Sequence, residues 1–499
     1  MRIASSILYT LPVCCLAGCI KKRWLFYFLS TIVFLTSAIE TFMVVLYDNY
    51  IIAGNIIAMF TTTAEECSGF VSSCIHVLPY AIPIAAFCLF AVYKYRSDNR
   101  TKPFLTAFAC TTVLSAGFLF YQLQVRWKGN ITVRFYIEQN VFGRPPYNFW
   151  FQTANAIEQQ RMRSYIEDAG KISFGAKHYA YAGKEVYVMA IGESLRYDNL
   201  SLGGYRRSTT PLLESLDDIT LYSNYFSTAN LTMYSVPQII TRATPEDFSL
   251  NYKERSLIEP FKECGFKTFA ICYNNLLVEK NMRYLTNGCD KLIEIEDGGD
   301  EKIAAVIDSL SGIYPKTFFI VQFHGNHGPY DNFPKRLNKY RPNPTSDNVA
   351  IQDPQARENA YDNTILYTDF CVYSIIKAID KPKTQSAFLM VSDHGADYEN
   401  GVSDHGGNCN PRKAEYHVPL IFWHSSVWGE RHTNKLAAVK RHKDKPVNAD
   451  NVFYSVCDMA DITLKKDFAK PEWSIFNPYL KLHERRLLVP DGKNSIIVK

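Results

Sequence analysis

The chain has 499 residues, of which 47% are hydrophobic, 14% aromatic and 21% charged. Its net charge of +5 is too small to point to nucleic acid as a partner, and 25 Gly with 23 Pro exclude a collagenous or low-complexity chain. The length suggests two or three domains, with a core large enough to fold without disulfides.

Apolar residues crowd into the first quarter. Four stretches, Ile3–Ile20, Trp24–Tyr47, Phe70–Val92 and Phe104–Leu123, are predicted to be membrane helices. The last three have about the 20 residues a bilayer requires. Lys21–Arg23 separate the first two stretches, and Lys94, Arg96, Arg100 and Lys102 lie between the third and fourth. The positive-inside rule puts both loops in the cytoplasm and everything after Gln124 outside it. Leu16–Cys19 matches a lipoprotein cleavage box. Cleavage there would export Lys21–Arg23 directly ahead of another span, so an uncleaved segment is expected.

Residues 126–183 read as an interfacial linker. Asn148–Phe151 is an aromatic cluster suited to a membrane surface, and Ala154–Asp168 reads as a polar helix. From Lys184 onward the pattern is α/β. The runs 185–191, 267–273, 316–323, 386–392 and 418–423 have strand length, are rich in β-branched and aromatic residues, and do not alternate. That suits strands buried on both faces of a mainly parallel sheet. Helices are expected between them, at Glu301–Leu310 and Asn363–Ala378. The expected division is 1–125 transmembrane, 126–183 linker and 184–499 exported domain. Six cysteines in that domain make some disulfides plausible, and the lack of a CxxC pair argues against a structural cysteine–zinc site.

Ligands of open α/β sheets bind beyond the carboxyl ends of strands. Here those ends carry Gly192-Glu193-Ser194, His324 to Pro329, and Asp393-His394-Gly395, with His405 twelve residues after Asp393. Glu193, His327, Asp393 and His394 can therefore converge. Two carboxylates with imidazoles form an N/O set for Zn²⁺, and Mn²⁺ is a second possibility. Each residue alone has an ordinary reading as a helix cap or a satisfied core group. A metal would activate a hydroxyl nucleophile. Thr232 is one candidate, in competition with Thr228, Ser235 and Thr241.

The segments 186–213 (with GES, then GY-x-R-x-TTP), TMYSVP at 232–237, HGPY at 327–330, SDHG at 392–395, His405-Gly406, and EYHVPLIFW at 415–423 together resemble the membrane-bound phosphoethanolamine transferases of the alkaline phosphatase/sulfatase superfamily. The resemblance implies an N-terminal transmembrane helical domain followed by a periplasmic α/β catalytic domain, in a multi-pass protein of the bacterial inner membrane. It implies Glu193, Thr232, Asp393 and His394 as principal zinc ligands, with Thr232 as nucleophile. His327 and His405 would lie beside the substrate phosphate or a second zinc, and Lys280 would contact substrate. A second SDHG string, at 403–406, leaves Asp404 in an outer role. Ser227 and Gln238 stand near where many relatives have cysteines flanking the nucleophile, and this chain shows four apolar stretches where well-studied relatives have five spans.

The implied reaction moves phosphoethanolamine from phosphatidylethanolamine to lipid A or a lipopolysaccharide core, through a phosphoethanolamine-threonine, in a monomeric enzyme with one or two zinc ions. The rival readings are a phosphoglycerol transferase using phosphatidylglycerol and a non-catalytic lipid-binding sensor. A sulfatase activity is disfavoured, because Tyr234–Gln238 lacks the arginine of a Cys/Ser-x-Pro-x-Arg motif.

Overall fold

The computed structural model describes residues 12, 15, 19–47, 50–61, 101–121, 142, 147–168 and, from 172 to 498, all but 180, 274–282, 296, 329, 331–332, 344–352, 401–411 and 490–494. The chain forms two compact units, Met1–Glu158 and Gln159–Lys499.

In the first unit, helix α1 (Arg23–Tyr47) and helix α3 (Thr101–Tyr121) coincide with the second and fourth apolar stretches, and a short α2 (Ala53–Thr61) lies between them in sequence. The first stretch falls almost wholly outside the described residues, and the third entirely so. Among the described residues, no helix is long and apolar enough to cross a membrane. The four expected spans therefore rest on sequence hydropathy. Helix α4 (Asn148–Asp168) begins six residues before the expected Ala154 and takes in the aromatic cluster.

One carboxylate sits deep in this unit. Glu40 of α1 is buried and accepts hydrogen bonds from the Ile51 amide at 3.0 Å and from Asn148 Nδ2 at 2.8 Å. Gln152 extends the chain of contacts to Asn148 Oδ1 and to the Ala53 amide. A buried carboxylate is tolerated only with such partners.

The second unit is built on a seven-stranded sheet. Its strands are β1 (Lys184–Gly192), β2 (Ile219–Tyr222), β3 (Lys267–Tyr273), β4 (Lys291–Ile295), β5 (Lys316–Gln322), β6 (Thr384–Ser392) and β7 (Leu420–His424), in the spatial order β2-β7-β6-β1-β5-β3-β4. The five strands β6-β1-β5-β3-β4 are mutually parallel. β7 runs antiparallel to β6, and β2 antiparallel to β7. The sheet is mixed, which corrects the mainly parallel expectation for its β2–β7 edge. A parallel return needs a crossover that carries the chain back to the other edge. Between Ser392 and Leu420 the only α-helix among the described residues is the four-residue turn Lys413–Tyr416, so β7 runs back from the edge where β6 ended.

Side-chain alternation divides the core into two layers. Tyr187, Met189, Ile191, Leu389 and Val391 enter one buried cluster, while Val186, Val188, Ala190, Phe388 and Met390 enter the other. Period-2 geometry in a doubly covered strand requires this split. α5 (Thr232–Ile240) and α8 (Val452–Met459) contribute to the first layer; α6 (Ile303–Ile313) and α7 (Pro354–Ile379) contribute to the second. The predicted helix at Asn363–Ala378 is α7, nine residues longer at its start because Asp353 caps it through the Ala356 amide ahead of Pro354.

Cys264, Cys272, Cys289, Cys371 and Cys457 are free thiols, so no disulfide forms among the described residues of this unit; Cys409 lies outside them.

Candidate metal centre and nucleophile

Central strands β1 and β6 are paired in register to their last residues, Gly192 beside Ser392. Whatever follows each strand must therefore lie side by side. Glu193 and Asp393 are those next residues. Ser194 turns the chain sharply with a left-handed backbone (φ 55°), and its hydroxyl donates to Glu193 Oε1 at 2.8 Å. Tyr361 of α7 braces this turn by donating to the Ser194 carbonyl and accepting from the Arg196 amide.

Asp393 is fully buried and its two oxygens differ. Oδ1 accepts from the amides of Ser194 at 3.0 Å and His394 at 2.7 Å. Among the described residues, Oδ2 has no hydrogen-bond partner. His394 is also buried, and its Nδ1 lies 2.9 Å from the Gly395 carbonyl. A carbonyl only accepts, so the proton is assigned to Nδ1 and Nε2 presents a lone pair.

Glu193, Asp393 and His394 place one ligand atom each within 4.8 Å of one another. His394 Nε2 lies 3.3 Å from Asp393 Oδ2 and 3.5 Å from Glu193 Oε1. Thr232, the first residue of α5, brings its Oγ1 to 3.1 Å from His394 Nε2 and 3.4 Å from Glu193 Oε2. In a tetrahedral zinc site with bonds of about 2.0–2.1 Å, neighbouring ligand atoms are about 3.3 Å apart. The separations of 3.1 to 3.5 Å around His394 Nε2 and Thr232 Oγ1 are close to that length, with Glu193 meeting His394 through Oε1 and Thr232 through Oε2. Asp393 Oδ2, which accepts no hydrogen bond among the described residues, is the buried polar atom that a cation would satisfy. The residues fit a zinc ion.

Thr232 is set apart from its competitors by position. The Thr241 hydroxyl donates to Pro237 O, Ser235 is fully buried inside α5, and Thr228 Oγ1 is buried without a hydrogen-bond partner among the described residues. None of these meets the carboxylate–imidazole group.

His327 follows β5, the other neighbour of β1. Its Nδ1 lies 2.7 Å from the Gly328 carbonyl, which assigns the proton there as in His394. Asp300 pins the start of this loop by accepting from the His324 and Gly325 amides, and Asn326 is held between Thr364 and Thr368 of α7. His324 stacks on His327 with centroids 5.4 Å apart. Burial, with His327 alongside, pushes the His324 pKa down to about 3, so it stays neutral. His327 does not belong to the Glu193–Asp393–His394 group. His405, Asp404 and Lys280 lie outside the described residues.

With this geometry, the comparisons with known proteins are consistent. The sulfatase family model matches residues 185–462, more than half of the chain. The chain belongs to the sulfatase family. The phosphoethanolamine transferase EptC of Escherichia coli (strain K12) is 25% identical over 329 residues, which is 62% of this chain and 56% of that protein. The chain therefore spans little more than half the length of that relative. The zinc complex of the C-terminal periplasmic domain of EptC from Escherichia coli has a TM-score of 0.58 at 23% identity, covering 66% of this chain and 96% of that one. The integral membrane protein lipooligosaccharide phosphoethanolamine transferase A (EptA) from Neisseria meningitidis has a TM-score of 0.72 at 19% identity, covering 95% of this chain and 92% of that one. Both structures show that the fold is shared.

The sulfatase-family centre here also uses residues that sequence reasoning left aside. Ser227 donates through its hydroxyl to the Asp393 carbonyl and, at 2.8 Å, to the Ala229 carbonyl. It ties the segment before Thr232 to the segment that carries Asp393 and His394. Asn230 and Glu415 form a second tie at 2.8 Å. Glu415 opens the EYHVPLIFW motif and Ser227 stands near where many relatives carry a cysteine, but neither sequence feature specified these contacts.

Proposed function

We propose that this chain transfers phosphoethanolamine from phosphatidylethanolamine to an envelope glycolipid, lipid A or a lipopolysaccharide core, through a covalent intermediate on Thr232. The observation that carries the reading is the approach of the Thr232 hydroxyl to Glu193 and His394, which cluster with Asp393. The names of the relatives, phosphoethanolamine transferases, support the choice of group transferred.

Glu193, Asp393 and His394 would hold one zinc ion beside Thr232. Bound there, zinc lowers the pKa of a nearby hydroxyl and offsets charge on phosphoryl oxygens. Thr232 Oγ1 attacks the phosphodiester phosphorus of the donor, and the bond from phosphorus to the glycerol oxygen breaks. Diacylglycerol leaves with a proton supplied by His327 or His405. An acceptor hydroxyl or phosphate oxygen then attacks the phosphoethanolamine-threonine and restores Thr232. Lys280, His327 and His405 would contact the substrate phosphate, with a second zinc or Mn²⁺ as variants of the same site. The apolar N-terminal stretches would anchor the catalytic domain at the periplasmic face of the inner membrane, where the lipid donor lies.

The test is incubation of detergent-solubilised protein with phosphatidylethanolamine carrying a fluorescent acyl chain, beside Thr232→Ala and a zinc-chelated sample. Labelled diacylglycerol from the untreated wild type alone is expected. Release from phosphatidylglycerol instead would replace the donor, and release from neither lipid would overturn the reading.

A further inference from the structure

Glu415 takes no part in the chemistry assigned above, yet the segments that carry Thr232 and His394 both meet on it, together with Arg412. Its side chain is buried. Oε2 accepts from Asn230 Nδ2 at 2.8 Å, two residues before Thr232. Oε1 accepts from the Arg412 amide at 2.9 Å, the first described residue after the segment that carries His405. Its carbonyl accepts from the Gly395 amide at 2.8 Å, next to His394. The neighbouring Tyr416 carbonyl takes the Ser227 amide at 2.8 Å.

An ordinary helix cap does not explain a carboxylate here. Glutamine serves as well as glutamate at the third position of a capping box, and a neutral amide is less costly to bury. Accepting through both oxygens, from donors on two different segments, is what the carboxylate does and an amide cannot.

We infer that Glu415 is a positioning residue for the transfer: its carboxylate clasps the segment before Thr232 to Arg412, while its backbone holds the His394 segment. The inference rests on Thr232 being the nucleophile. It acts through Asn230 and the Arg412 amide and touches no reacting atom.

The experiment compares wild type, Glu415→Gln, Asn230→Ala and the double swap of Asn230→Asp with Glu415→Gln. In Glu415→Gln the single acceptor oxygen serves one donor, and the side-chain NH₂ faces the other. In the swap, the introduced glutamine accepts from the Arg412 amide through Oε1, while its NH₂ donates to the introduced aspartate. Both bonds return at unchanged net charge. Diacylglycerol release is expected to fall about 10- to 100-fold in Glu415→Gln, with bound zinc retained and KM for the lipid nearly unchanged. Amide hydrogen exchange over residues 227–234 is expected to accelerate, and the swap to recover most of both losses. Asn230→Ala removes only the side-chain donor and serves if Glu415→Gln fails to fold. Wild-type rate and exchange in Glu415→Gln, or a swap as slow as the single variant, would overturn the inference. A wild type without any diacylglycerol release would sink the transfer reading by itself, and the exchange pattern would still decide the clasp.

Discussion

Gly395 lies so close to the carbonyl oxygen of Ala414 that a β-carbon on it would overlap that atom. The obstacle is backbone on both sides, so no side-chain rotation relieves it. The last residue of the SDHG motif is therefore glycine for close approach, and beside this contact the Gly395 amide donates a hydrogen bond to the Glu415 carbonyl.

Gly395→Ala is accordingly expected to cost about 1–3 kcal/mol of stability and to displace His394 from the metal cluster. Urea denaturation and zinc content after gel filtration test both parts. A variant that keeps its zinc and its unfolding midpoint would show that the contact is looser than described.

Thr232 is the residue whose loss should separate chemistry from folding. It is buried at the start of α5, and Thr232→Ala removes one hydroxyl from an already polar cluster. Transfer should fall by at least roughly three orders of magnitude, as for other covalent nucleophiles, while the unfolding midpoint moves little. Intact mass spectrometry of quenched wild type should reveal the phosphoethanolamine adduct, absent from the alanine variant. An alanine variant retaining a tenth of the wild-type rate would exclude Thr232 as nucleophile.

Asp393→Asn should behave oppositely with and without zinc. Asp393 Oδ1 keeps its two amide donors if asparagine places its oxygen there. The side-chain NH₂ then points where Oδ2 now stands, towards His394 Nε2 and Glu193. Without metal, that donor relieves a cluster of acceptors, so the variant should be at least as stable as the wild type. With saturating zinc the order should reverse, because ligand binding stabilises only the form that binds it. Melting curves of the two proteins in chelator and in zinc provide the test; curves that never cross would rule out Asp393 as a ligand.

Asp300 makes a prediction about pH. Burial pushes its pKa up to about 6, against the opposing bonds from the Gly325 and His324 amides. Between roughly pH 4 and 6 the folded state therefore binds more protons than the unfolded one, and stability from this group falls as pH rises through that window. The loss amounts to about 3 kcal/mol by neutral pH. Asp369, raised to about 7 by burial, acts in the same direction. Asp300→Asn should leave a visibly flatter stability profile from pH 4 to 6 than the wild type. Parallel profiles in urea titrations across that range would contradict the assignment.

Much of the catalytic half was legible in sequence because doubly buried strands cannot alternate. The runs ending at Ile191, Tyr273, Phe323 and Ser392 matched β1, β3, β5 and β6 to within a residue or two at each end. β2 (ITLY) and β4 (KLIEI) escaped notice because edge strands are short and partly exposed, and leave no such run. The direction of β7 was equally hidden. VPLIFW has the composition of a parallel strand, but direction is set by how the chain returns from Ser392. The expected disulfides did not form among the described thiols, since Cys272, Cys371 and Cys457 are buried in apolar packing that needs no cross-link.

The candidate centre divides along the same line. Sequence by itself determined that Glu193, Asp393 and His394 follow strands, because a strand must end and the next residues must occupy the sheet edge. Residue pattern alone left Thr232 in competition with Thr228, Ser235 and Thr241, since each is a hydroxyl in one short stretch, and only the family resemblance singled it out. The tertiary structure separates Thr232 from them by position, bringing the first turn of α5 to within 3.1 Å of His394 Nε2. It also decided that one Asp393 oxygen is pinned by two amides while the other accepts no hydrogen bond among the described residues, and that Glu415 clasps Asn230 across a gap of 185 residues. Local pattern specifies which element a residue joins, whereas the side of a loop on which a side chain lies depends on packing between segments distant in sequence.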